Sequence, residues 1–214
     1  MIQEPGPGSR LTSPLRVLGM ADPTFEQALV ARLVDAGGAV LAEEPLTIRS
    51  PLGERGPFEA EIEFAVTGEV NAQLQVYETS ARDGGIAHLA SAGITLLSGG
   101  AQEITRRAPH PEQIIILAPE NGQQVGSGVV HVEGSAVASF EGTLVIELYD
   151  AEGAQLGSEP IIVDAPGMGQ AGEFEIDIAY TITQPGPARL VVRDPIPVAD
   201  GVNHIASVEV QLLP

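Results

Sequence analysis

The chain states one pattern twice, and that repetition restricts its fold more than any other feature. Residues 24–38 read TFEQALVARLVDAGG and residues 139–153 read SFEGTLVIELYDAEG. At this offset of 115 residues, Gly19 matches Gly134, Leu29 matches Leu144, Asp35 matches Asp150 and Pro45 matches Pro160. Farther along the offset becomes 116: Gly56 matches Gly172, Phe58 matches Phe174, Ile62 matches Ile178, Leu74 matches Leu190 and His88 matches His204. The added residue lies between Pro160 and Gly172, where a loop tolerates it. A period this long is not that of a solenoid and is the size of a domain. The sequence therefore predicts two homologous domains, 1–97 and 114–214, joined by a polar, aperiodic linker over 98–113.

Within each unit the periodicity is two. In EFEIDIAY, Phe174, Ile176, Ile178 and Tyr180 share one face, with Glu173, Glu175 and Asp177 on the other. Phe58, Ala60, Ile62 and Phe64 repeat this in the first copy. Alternation of this kind places apolar side chains on a core and charges in water. About seven short strands per domain, separated by turn signals and with no helical stripe, predict an all-β chain. Sheets buried on one face must pack face to face or close into a barrel. Seven strands in about 100 residues favour an immunoglobulin-like β-sandwich.

Composition narrows the function. The net charge is −19, with 29 acidic against 10 basic residues, so nucleic acid and anionic membrane surfaces are poor partners. All basic side chains are Arg. Without Lys, Schiff-base chemistry and Lys–Asn cross-links are excluded, and without Cys so are disulfides and thiol chemistry. No run is long and apolar enough to span a membrane, and MIQEPGPGSR lacks the apolar core of a signal peptide. The expectation is an extracytoplasmic protein, on the cell surface or secreted, whose signal segment is absent from this chain; a cytoplasmic protein is the alternative.

The run PENGQQVGSGVVHVEGSAVASFEGTLVIELYDAEGAQL, followed by GEFEIDIAY and a late Asp-Gly before the last strand, resembles the immunoglobulin-like domain of bacterial spore germination proteins. The second copy is the nearer match. The first lacks the Glu-Gly after Phe25, and its opening strand is short. The resemblance implies the sandwich fold and a setting among cell-surface modules. It brings no catalytic residues.

Each residue that invites a chemical reading also has a structural one. Phe25 and Phe140 begin a strand on the core-facing parity, where burial contributes roughly 1.5–3 kcal/mol each. Glu26 and Glu141 then point to the rim, where each could accept bonds from loop N–H groups or meet a ligand. His88 and His204 fall on the core-facing parity of the last strand. With one matched His per domain and no HxH or HxxxH, a hydrogen-bonded core position suits them better than a metal. His110 and His131 have no counterpart in the other copy and look incidental. Asp35 and Asp150 open hairpin turns, and their spacing lacks the ligand ladder of a calcium loop. No nucleophile motif or phosphate loop stands out. The sequence thus predicts no catalytic residue, metal or cofactor. The expected function is a structural or adhesive module of a bacterial surface, envelope or extracellular assembly. A protein partner, or a second copy, would dock on a strand edge of the first domain. The alternative is a ligand- or glycan-binding module. Tyr149, on the outward parity, is its best contact in a chain without Trp.

Overall fold

The alternation becomes strands throughout. The computed structural model describes residues 1–107, 112–137, 141–167, 169–196 and 201–214. In the first copy the strands are β1 (Ile2–Glu4), β2 (Arg10–Thr12), β3 (Leu15–Ala21), β4 (Ala28–Asp35), β5 (Val40–Thr47), β6 (Gly56–Ile62), β7 (Glu69–Thr79) and β8 (Ile86–Leu97). In the second they are β9 (Ile114–Ala118), β10 (Gln123–Val125), β11 (Val129–Ala136), β12 (Thr143–Asp150), β13 (Gln155–Ile162), β14 (Gly172–Ala179), β15 (Gly186–Pro195) and β16 (Val202–Leu212). The described residues contain no α-helix. Two units form: Met1–Thr79 with Leu89–Pro111, and Ser80–His88 with Glu112–Pro214.

Each copy builds the same two sheets. The first has a small sheet ordered β1-β3-β6 and a larger one ordered β8-β7-β4-β5, with β2 beside β8. The second has β9-β11-β14 and β16-β15-β12-β13, with β10 beside β16. The count is eight strands rather than about seven because the opening strand splits between the sheets. Its first part pairs antiparallel in the small sheet (Ile2↔Gly19; Ala118↔Glu133). Its second part pairs parallel in the large one (Arg10↔Thr95; Gln123↔Val210). Pro5 and Pro119 stand at the two breaks, where a residue without an N–H cannot continue a ladder.

The core lies between the sheets of each unit. Leu15, Val17 and Ile62 from the small sheet meet Leu33, Leu74 and Leu96 from the large one. In the second unit Val130, Val132 and Ile178 meet Leu144, Ile146, Leu148 and Leu190. The Asp turns form as expected. Asp35 Oδ1 accepts from the N–H of Gly37 (2.8 Å) and Ala39 (2.9 Å), and Asp150 Oδ1 from Glu152 (3.0 Å) and Ala154 (2.7 Å). Gly38 and Gly153, at φ 87° and 82°, complete them. Part of the stretch read as a linker is laid against the first unit. The Gly6 N–H donates to Thr105 O, the Arg107 N–H donates to Gln3 O at 3.0 Å, and Arg10 bridges to Glu103.

One repeated contact sets the spacing of the small sheets. Gly19 pairs with Phe58 and Gly134 with Phe174. The phenyl ring lies across the glycine of the neighbouring strand. A Cβ on Gly19 would stand 2.2 Å from Phe58 Cζ and 2.4 Å from the Met1 carbonyl. A Cβ on Gly134 would stand 2.4 Å from both Phe174 Cζ and the Ile115 carbonyl. Gly19→Ala and Gly134→Ala are each expected to cost about 3 kcal/mol, the upper end of overpacking penalties, because backbone as well as ring must move. Denaturant unfolding of the two variants measures this, and Gly93→Ala, with open space around it, serves as the comparison.

Candidate functional site

The repeated Phe-Glu phrase is a kink. Phe25–Gln27 form a single 3-10 turn ahead of β4, with Glu26 and Gln27 both at φ 56°. In the second unit Glu141 and Gly142 take φ 49° and 70°. Two consecutive left-handed residues invalidate a parity that assumes extended chain. Phe25 is accordingly not a core residue: it is 64% exposed, and Gln27 is buried in its place at 3%. The Gln27 amide donates to Ser50 Oγ (2.8 Å) and to the carbonyls of Pro51 (3.0 Å) and Glu54 (3.2 Å), tying down the loop after β5. The turn's backbone role is the same in both copies, with the Ile48 N–H donating to Gln27 O and the Val163 N–H donating to Gly142 O, both at 2.8 Å. Phe140 lies outside the described residues.

Glu26 and Glu141 are exposed side chains. The carboxylate that accepts a backbone bond from this turn is Glu78, on β7, which takes the N–H of Phe25. No local sequence signal marks Glu78, because only strand pairing brings it to the turn. Burial pushes the Glu78 carboxyl above the ordinary 4.5, and the Phe25 N–H offsets part of that rise. Its counterpart on β15 at the 116-residue offset is Asp194, which is fully buried and stands opposite His204 in the ladder.

His204 is buried at 8% exposure. His88 is exposed, contrary to its parity. It is in phase with Ala92, Ile94 and Leu96, but the first core ends at Ala90, so the side chain extends past its edge. Tyr149 is half-buried. Burial, and then the neighbouring Glu147 carboxylate that takes its hydroxyl, raise its pKa. Glu147 is held in turn by Arg193 at 3.2 Å. Also within the second unit, Arg189 and Asp83 form a buried pair at 2.7 Å. Tyr149, Glu147 and Arg193 are thus bonded in one chain of contacts.

A separate charged cluster is on the solvent face of the small sheet in the second unit. His131 and Glu133 on β11 stand opposite Asp177 and Glu175 on β14. His131 Nδ1 is 2.7 Å from Asp177, and Nε2 is 2.9 Å from Glu133 and 3.7 Å from Glu175. Hydrogen bonds to Asp177 and then Glu133 raise the imidazole pKa above 6.5. The ligand atoms of His131, Glu133 and Glu175 all lie within 4.8 Å of one another. The sequence signal for this group is a pair of i, i+2 patterns, HxE and ExD, on outward parity. It becomes a cluster only through the strand register.

The raised carboxyl of Glu78 sets a pH dependence. Between the unfolded value and the raised folded one, the native state binds more protons, so Glu78's contribution to stability falls as pH rises through that window. Glu78→Gln keeps an acceptor for Phe25 and removes the slope. Its stability relative to wild type is expected to increase between about pH 4 and about pH 7. Glu78→Ala, which strips the acceptor, is expected to lose about 1 kcal/mol. Thermal unfolding at the two pH values checks both.

Comparison with known proteins places this architecture. No curated protein matches the chain. Among solved structures, red sea bream transglutaminase is 10% identical at TM-score 0.34, covering 100% of this chain and 31% of that one. PorU from Porphyromonas gingivalis is 10% identical at TM-score 0.29, covering 99% of this chain and 24% of that one. The enterotoxigenic E. coli adhesin CfaE is 10% identical at TM-score 0.25, covering 98% and 81%. The chain thus spans less than a third of the first two, and superpositions this loose carry no functional argument. The family profile for the immunoglobulin-like domain of bacterial spore germination matches residues 1–85 and again 113–197, and the chain belongs to that family, as two tandem copies.

Proposed function

We propose that this chain is a non-catalytic structural or adhesive module of a bacterial cell-surface, envelope or extracellular assembly, acting through domain faces and strand edges. The observation that carries this reading is where apolar side chains meet water. Leu117 on β9 is 63% exposed, Val40 on β5 53% and Ile162 on β13 72%, and each of these strands ends its sheet. Terminal strands that present apolar side chains and backbone groups invite another chain. Pro45 and Pro160 interrupt β5 and β13, blunting those two edges. The β9 edge of the second unit carries no proline, whereas the β1 edge of the first is met by the Arg107 N–H at Gln3 O. A protein partner or a second copy would dock on a strand edge of the first unit, where Val40 on β5 presents an apolar side chain to water. The family and the Cys-free composition are both compatible with an extracytoplasmic place.

Sedimentation velocity over a roughly hundredfold concentration range tests the self-assembly form of this reading. Reversible species larger than the monomer, growing with concentration, are expected; a single monomer boundary throughout would overturn it.

A further inference from the structure

We propose that the second unit binds a divalent transition-metal ion of the zinc class through His131, Glu133 and Glu175, on the solvent face of its small sheet. Glu133 and Glu175 are direct cross-strand partners, as are His131 and Asp177. Like charges directly opposite each other disfavour a strand pair, and a cation between the two glutamates reverses that. The ring is already oriented for the task. Asp177 holds Nδ1 at 2.7 Å, and Nε2 faces Glu133 at 2.9 Å and Glu175 at 3.7 Å. A carboxylate on the far ring nitrogen is the usual device that fixes tautomer and direction in a metal-ligating histidine. One imidazole nitrogen and two carboxylate oxygens form a donor set suited to zinc, with water completing the shell. Binding replaces the proton that Nε2 shares with Glu133, and that proton leaves to solvent.

The first unit supplies an independent control within the same chain. At the 115-residue offset Arg16 stands where His131 stands, and Leu18 where Glu133 stands. Arg49 occupies the place of Asp164: the Arg49 N–H donates to Pro57 O, and the Asp164 N–H donates to Glu173 O, both at 2.8 Å. In that unit Glu59, the counterpart of Glu175, is bonded by Arg16 at 2.7 Å and Arg49 at 3.0 Å. The bond from Arg16 leads the effects that hold the Glu59 carboxyl below its ordinary value. The first unit therefore brings its own cations to this face. The second has exchanged both arginines, one for an imidazole and one for a carboxylate, and has gained Glu133. Glu133, Asp164, Glu173 and Glu175 line an open groove of about 370 Å³ there. This face retains the geometry for a cation and lacks the guanidinium groups that neutralise it in the other copy.

The test is isothermal titration of the untagged full chain with zinc chloride, alongside His131→Ala, His131→Arg and Asp177→Asn. The His131→Arg variant restores the first unit's residue and keeps a positive partner for the carboxylates, so it guards against loss of fold; thermal unfolding confirms that each variant is native. One zinc ion per site is expected, with affinity lost at least about tenfold in both His131 variants and about 10–100-fold in Asp177→Asn. Chemical shift changes at the His131 ring nitrogens should track the titration. Absence of zinc binding up to about 1 mM, zinc binding unchanged in natively folded His131→Arg, or calcium binding as tightly as zinc and independently of His131 would each overturn the proposal.

Discussion

Everything in each small sheet is arranged around a phenyl ring lying over a glycine. Phe58 covers Gly19 and Phe174 covers Gly134, and in both cases the opening strand's backbone stands so near that no side chain fits on the glycine. The ring buries its own area, covers the glycine backbone and fixes register, because a one-residue slip would turn it to solvent. With that register set, the core residues of β3 and β6, or β11 and β14, face the larger sheet, and the charges on the alternate positions face water.

The second repeated device is the left-handed kink before β4 and β12. It turns the chain into the larger sheet and lets the residue after Glu receive the N–H of Ile48 or Val163. In the first unit Gln27 fills the pocket beneath and bonds three groups of the following loop; in the second, Gly142 takes the same conformation without strain. The duplicated phrase is thus duplicated scaffold. Chemical individuality resides in positions where the copies differ, above all Arg16 against His131 and Arg49 against Asp164.

Features local in sequence were legible there. Alternation marked the buried faces of β6, β12 and β14, and Asp-Ala-x-Gly marked two hairpins. Matched glycines and phenylalanines were visible as pairs, but their contact was not, because it depends on which residue meets which across strands. Phe25 was misread for a definite reason: positive φ at Glu26 and Gln27 reverses the facing that a period of two assigns. His88 has the right parity and stands beyond the end of the core. The Glu78 acceptor and the His131 cluster are both assembled by register from separate strands, and neither spacing alone announces them.

The central claim is that the repeated Phe-Glu phrase stabilises each unit through its backbone conformation and not through its carboxylates. Replacing Glu26 and Glu141 together with glycine isolates the two roles, because glycine relieves left-handed strain and removes both carboxylates. Relief of about 1 kcal/mol at each site predicts a higher midpoint of thermal unfolding for the double variant, with native dichroism retained. A lower midpoint would mean that the carboxylates themselves support the structure, and would contradict the claim.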